Sequence, residues 1–154
     1  MKFYQLVLVF LLINFGGLYV GNILMNNGPM SDWYTSLNQA PWTPPGWVFG
    51  FAWTTIMVCF SIYLAYLFEW QNSTFLWLLY GLQVLLNVSW NYVFFNQHMT
   101  IFGLVVIVSL LIVILYYFLT FRAETLHRMR YLLLPYILWL CIAISLNLYI
   151  VVHN

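Results

Sequence analysis

The sequence predicts an all-α membrane protein, a bundle of five transmembrane helices with a long loop between helices one and two. Three observations predict it. Of 154 residues, 65% are hydrophobic and only 5% are charged, and so few charges cannot coat a soluble domain of this length. Five stretches, at about 3–25, 46–68, 75–95, 101–121 and 131–152, each reach the roughly 20 apolar residues that a hydrocarbon crossing requires. Asp, Glu, Lys and Arg are absent from all five stretches and fall only at their ends or between them.

The first stretch follows Lys2 directly. It is too long for a signal-peptide core and has no small-residue cleavage site, so it reads as a retained helix. After it, 26–45 carries Gly28, Pro29, Pro41, Pro44 and Pro45, which break regular structure. Within that loop, 31–37 suits one short helix, with Ser31 as N-cap and Asp32 in the first turn. The links 69–74 and 96–100 are tight and imply antiparallel neighbours. The last link, 122–130, is polar and basic. The whole chain, 1–154, is one domain by length.

Orientation follows from the basic residues. Lys2, Arg122, Arg128 and Arg130 all fall on the side that holds the N-terminus and the second and fourth links. The positive-inside rule places that side in the cytoplasm, with the long first loop and the C-terminus outside. With no organelle-targeting segment evident, a bacterial plasma membrane is the expected location. The net charge of +1 gives no basic surface for nucleic acid. Cys59 and Cys141 sit in apolar runs without metal-ligand spacing and read as reduced, buried thiols. Asp32, Glu69 and Glu124 are far apart and peripheral, so acid–base or hydrolytic chemistry and a metal site have no support.

The aromatic content is 21%, with eight Trp. Belts at the two membrane interfaces account for Trp33, Trp42, Trp47, Trp70 and Trp77. Trp53, Trp90 and Trp139 lie deeper. At about 1.5 Å per residue, Trp53 is roughly 10 Å below the outer end of its helix, Trp90 roughly 8 Å and Asn87 roughly 12 Å. Asn87, Trp90, Asn91 and Phe94 fall at i, i+3, i+4 and i+7, one helix face, as do Trp139, Ala143, Leu146 and Asn147. Trp53 and Met57 share a face of the second helix. Three helices thus aim polar and aromatic groups at one level below the long loop, the makings of a pocket. Asn87 and Asn147 either bond across helices as structural glue or turn their amides to a ligand, and the two roles are compatible.

Four segments carry a resemblance. They are WYTSLNQAPW at 33–42, PWTPPGWVFGFAW at 41–53, NVSWNYVFF at 87–95 and PYILWLCIAISLN at 135–147. In order, spacing and placement they are similar to the motifs of the TspO/translocator protein family, the tryptophan-rich sensory proteins. The resemblance implies a five-helix bundle, often dimeric, that binds porphyrins such as protoporphyrin IX and synthetic benzodiazepine-site ligands, with light-dependent porphyrin breakdown in some bacterial members. Carried over by position, the ligand residues are Tyr34, Trp53, Asn87, Trp90, Phe94, Trp139, Ala143, Leu146 and Asn147. The cholesterol motif of animal members is incomplete here: no basic residue follows Leu146 and Tyr149, so cholesterol is not the expected ligand.

A porphyrin is a flat apolar disc with carboxylates on one edge, and aromatic walls suit the disc. Its carboxylates would stay hydrated at the loop end or meet backbone, Asn or Tyr donors there. His98, His127 and His153 lie at helix ends or beyond, so free-base porphyrin fits better than an iron-ligated haem. No cofactor is expected; the porphyrin is ligand or substrate. Trp53 and Trp139 are the candidates for photo-oxidative work, because indole is readily oxidised, or they only line the site. Competing readings are a transporter of small apolar molecules, which lacks an internal repeat and intramembrane charges, and a membrane adaptor using Gly17 and Gly21 as a packing face.

Overall fold

The computed structural model describes residues 2–154. Its long helices are α1 (Phe3–Leu24), α3 (Gly46–Trp70), α4 (Thr74–Asn91), α5 (Thr100–Thr120) and α7 (Leu134–His153), with short helices α2 (Asp32–Ser36) and α6 (Glu124–Met129) between them. Five helices are long and apolar enough to cross a membrane. They close into a ring: α1 packs on α3 and α4, α4 on α5, α5 on α7, and α7 on α3. Outward-facing Leu8, Leu12, Ile101, Ile112 and Leu138 are all more than half exposed, as a lipid-solvated surface requires.

The expected spans hold to within a few residues, and the departures have local causes. The third span passes from α-helix into a π-helical turn, Tyr92–Asn96, in which the Gln97 amide donates to the Tyr92 carbonyl at 3.0 Å. Such turns insert one residue into the helical repeat. The basic link contains α6, with Glu124 in its first turn and His127 and Arg128 in its last, the distribution the helix dipole favours. A 3₁₀ turn, Arg130–Leu133, then leads into α7. The thiols differ from expectation: Cys59 is half-buried and Cys141 is exposed on α7. An apolar run in a membrane helix covers lipid-facing positions as well as core, so burial preferences from soluble proteins do not carry over.

α1 approaches α4 closely at Gly17 and Gly21. A Cβ at Gly17 would meet Val84 and Val88 at ordinary contact distance, and one at Gly21 would stand 2.7 Å from Asn91 Nδ2. The Gly17/Gly21 face is therefore used within the chain and is not available to a partner protein. Below that contact, polar side chains tie three helices together. Tyr80 Oη donates to Asn14 Oδ1 at 2.8 Å, Asn14 Nδ2 donates to Ser61 Oγ at 2.8 Å, and Ser61 Oγ donates to the Met57 carbonyl at 2.6 Å. Gln83 Nε2 donates to Tyr136 Oη at 2.8 Å, linking α4 to α7. Each bond satisfies a group that lipid could not.

Candidate functional site

The loop between α1 and α3 forms a cap over one end of the ring. Asn26, Asn27 and Gly28 all take positive φ (49°, 67° and 41°), which stops α1 abruptly; Asn and Gly tolerate that region. Ser31 Oγ then accepts from the Tyr34 amide at 3.2 Å and starts α2. The cap is pinned at several points. Trp33 stacks on His98 at 4.1 Å and 11°. Trp42 Nε1 donates to Ser145 Oγ at 3.1 Å. The Asn38 amide donates to Asn154 Oδ1 at 2.8 Å. Just before the cap, Asn96 Nδ2 donates to the Leu24 carbonyl at 3.0 Å and fixes the end of α1. Tyr34 is carried down from α2 until its ring is 6% exposed, edge-on to Phe94 and Phe95.

Beneath the cap the site residues fall around two spaces. The larger, about 730 Å³, lies between the loop-end halves of α1, α3 and α4, with Phe15, Phe49, Trp53, Asn87 and Asn91 among its walls. Tyr34, Trp90, Phe94, Ala143, Leu146 and Asn147 meet around the smaller, about 20 Å³. Phe49 borders both. The smaller space is filled by its own walls: Trp90 and Phe94 stack at 5.4 Å and 9°, and Trp90 Nε1 donates to Asn147 Oδ1 at 3.3 Å. Trp139 is 5% exposed, borders neither space, and meets the edge of Phe49 at 5.2 Å. Trp53 is half-buried and sits edge-on to Tyr136 at 6.0 Å.

The nine predicted positions are thus clustered but divided. Asn87, Trp90, Asn91 and Phe94 span an arc of about 100° on an ideal helix, with Asn87 and Asn91 on one flank and Trp90 and Phe94 on the other. α4 stands at the partition, so its two flanks serve different spaces. Sequence reasoning missed Phe49, although it lies four residues before Trp53 on the same helix face. It also missed the contribution of α1, where Phe15, Leu18 and Asn22 fall at i, i+3 and i+7; an Asn within an apolar run was the available signal.

The two asparagines take opposite roles. Asn147 is 2% exposed; besides accepting from Trp90, its Nδ2 donates to the Thr100 carbonyl at 3.0 Å, so it joins α4, α5 and α7. Gly103 permits this, since a Cβ there would press Phe94 at 3.1 Å and Asn147 Oδ1 at 3.4 Å. Asn87 is 8% exposed and borders the large cavity, and its side-chain amide makes no hydrogen bond among the described residues. Replacing Asn147 with Leu is expected to lower stability by roughly 1–2 kcal/mol. Asn87→Leu is expected to leave stability unchanged or raise it. Thermal unfolding in one detergent checks both.

Neither space is bordered by Asp, Glu, Lys or Arg among the described residues. The large cavity therefore offers an apolar, aromatic, uncharged surface with amide groups at its back. Its volume lies within the roughly 300–1,000 Å³ typical of small-molecule sites.

Comparison with known proteins identifies a family. The family model described as TspO/MBR family matches residues 7–153. The chain is 33% identical to a tryptophan-rich protein TspO of Chlorobaculum tepidum over 82% of each chain. It is 32% identical to a tryptophan-rich sensory protein of Cereibacter sphaeroides, over 75% of this chain and 73% of that one. It is 31% identical to protein CrtK of Rhodobacter capsulatus, over 75% of this chain and 74% of that one.

Proposed function

This chain belongs to the TspO/MBR family, and from that premise we propose that it binds a tetrapyrrole, such as protoporphyrin IX, within the membrane beneath its first loop. The observation that carries the reading is the uncharged cavity of about 730 Å³ walled by Phe15, Phe49 and Trp53. A flat ring system gains there from aromatic contact and from leaving water. Asn87 and Asn91 offer amide donors and acceptors at its back, and the carboxylate edge of the ring stays at the loop end, where Asn27 borders the cavity.

In this reading the loop end faces outward from a bacterial plasma membrane and the N-terminus is cytoplasmic, because Lys2, Arg122, Arg128 and Arg130 all lie at the other end. The photochemical extension assigns Trp53 as an electron relay: its indole reduces the light-excited ring, the reduced ring passes that electron to dioxygen as superoxide, the indole radical cation takes an electron back from the ring, and superoxide adds to the oxidised ring, so that ring and dioxygen combine and the indole is restored. Trp139 stands one ring further away, behind Phe49.

The test is a titration of the purified protein with protoporphyrin IX in the dark, followed by tryptophan fluorescence. Saturable quenching that weakens in Asn87→Leu is the expected result. No saturable quenching contradicts the proposal and moves the transporter reading to the front.

A further inference from the structure

At Gly21 and Gly103 a Cβ would press a neighbouring side chain, and at Gly17 it would meet two valines at ordinary contact distance. At Gly46 and Gly50 a Cβ would meet nothing within 4 Å. Glycine is the least favourable residue after proline in a helix interior, and Gly50 lies one turn inside α3. Both glycines border the large cavity. Gly16 and Gly81 are also free of contacts but border neither space. At the back of the same cavity stands Asn87, whose side-chain amide is open to the cavity and makes no hydrogen bond among the described residues. Its donors and acceptor are free to pair with whatever occupies that space.

The cavity also has a side opening. Tyr19 and Asn22 on α1 and Gly50 and Thr54 on α3 border it and are exposed. Lower down the two helices are in contact, with Phe3 against Tyr66 at 4.5 Å and Asn14 bonded to Ser61. The gap thus opens sideways, in the half of the bundle nearest the loop, where lipid surrounds the protein.

We propose that the α3 backbone at Gly46 and Gly50 is the floor on which the flat ligand lies, so that these glycines set the size of ligand accepted, and that the ligand arrives from the bilayer through the gap they border. This rests on the tetrapyrrole reading for the identity of the ligand, but not for the floor or the gap. Bare backbone admits a disc to a closer distance than any side chain would allow. A molecule dissolved in the leaflet at the loop end reaches Asn87 without passing the pinned cap.

The test uses the full chain in phosphatidylcholine nanodiscs with protoporphyrin IX as probe. Gly50→Leu is expected to weaken binding by about tenfold or more, and Gly50→Ala by less than about threefold. Gly81→Leu, on the outside of α4, is expected to bind as the unaltered protein does. Wild-type affinity in Gly50→Leu would overturn the proposal. A second measurement is independent of the porphyrin. A bimane label on Gly50→Cys, in a protein carrying Cys59→Ala and Cys141→Ala, is expected to be quenched by doxyl-labelled lipid. Failure of that quenching overturns the lipid-facing gap whether or not porphyrin binds, whereas quenching with no porphyrin binding by the unaltered protein removes the tetrapyrrole and keeps the gap.

Discussion

Light-driven loss of protoporphyrin IX is expected to fall about tenfold or more in Trp53→Phe, and by far less in Trp139→Phe. The difference follows from position. Trp53 borders the cavity directly, so its indole meets the face of a ring bound there. Trp139 meets the edge of Phe49, and electron transfer from it must cross that ring. Phe keeps most of the apolar surface at either position, so dark binding changes little while the oxidisable indole is lost. The check is the rate of porphyrin absorbance loss under constant illumination, relative to detergent alone. Equal loss in the protein lacking both tryptophans would remove the photochemical role and leave a binding protein.

Asn14→Leu carries the largest expected cost in stability. Asn14 is 3% exposed and bonded through both ends of its amide, to Ser61 on α3 and Tyr80 on α4. Leucine fills the volume but leaves the Tyr80 hydroxyl without its acceptor in a site that water does not reach. Interhelical hydrogen bonds in membranes average about 0.6 kcal/mol and reach about 1.7, so losing two and orphaning a hydroxyl should cost roughly 2–3 kcal/mol. Thermal unfolding should fall by several degrees. Tyr80→Phe, which loses one of the two bonds and leaves Asn14 Oδ1 without its donor, should cost less than Asn14→Leu, which loses both. Equal losses in the two variants would count against the network as drawn.

The fold was legible because lipid imposes one demand along the whole chain. Charge-free runs of sufficient length had to be spans, and the Pro and Gly of 26–45 had to lie between spans. Ser31 and Asp32 announced α2 by capping chemistry alone. The π-helical turn at Tyr92–Asn96 was not legible, because NVSWNYVFF has the same apolar pattern in either helix type. The site was legible in outline: helix-face arithmetic brought Trp90, Phe94, Ala143, Leu146 and Asn147 to one level. It could not assign Asn87 and Asn147 to different roles. Both are deep amides in apolar helices, and only the facing residues, Thr100 and Trp90 for one and open space for the other, separate them. Nor could it place the partition at Phe49, since which flank of α4 meets which neighbour depends on the order of helices in the ring.

In the proposed reading the ligand occupies the space between α1, α3 and α4. A structure of the protein determined with protoporphyrin IX bound is the decisive measurement. The expected result is the disc on the Gly46/Gly50 face of α3, with Trp53 beside it and the Asn87 amide hydrogen-bonded to the ligand or to a water it holds. A disc lodged between Trp90 and Ala143 with the α1/α3 gap closed, or bound on the outer surface of the ring, would contradict it.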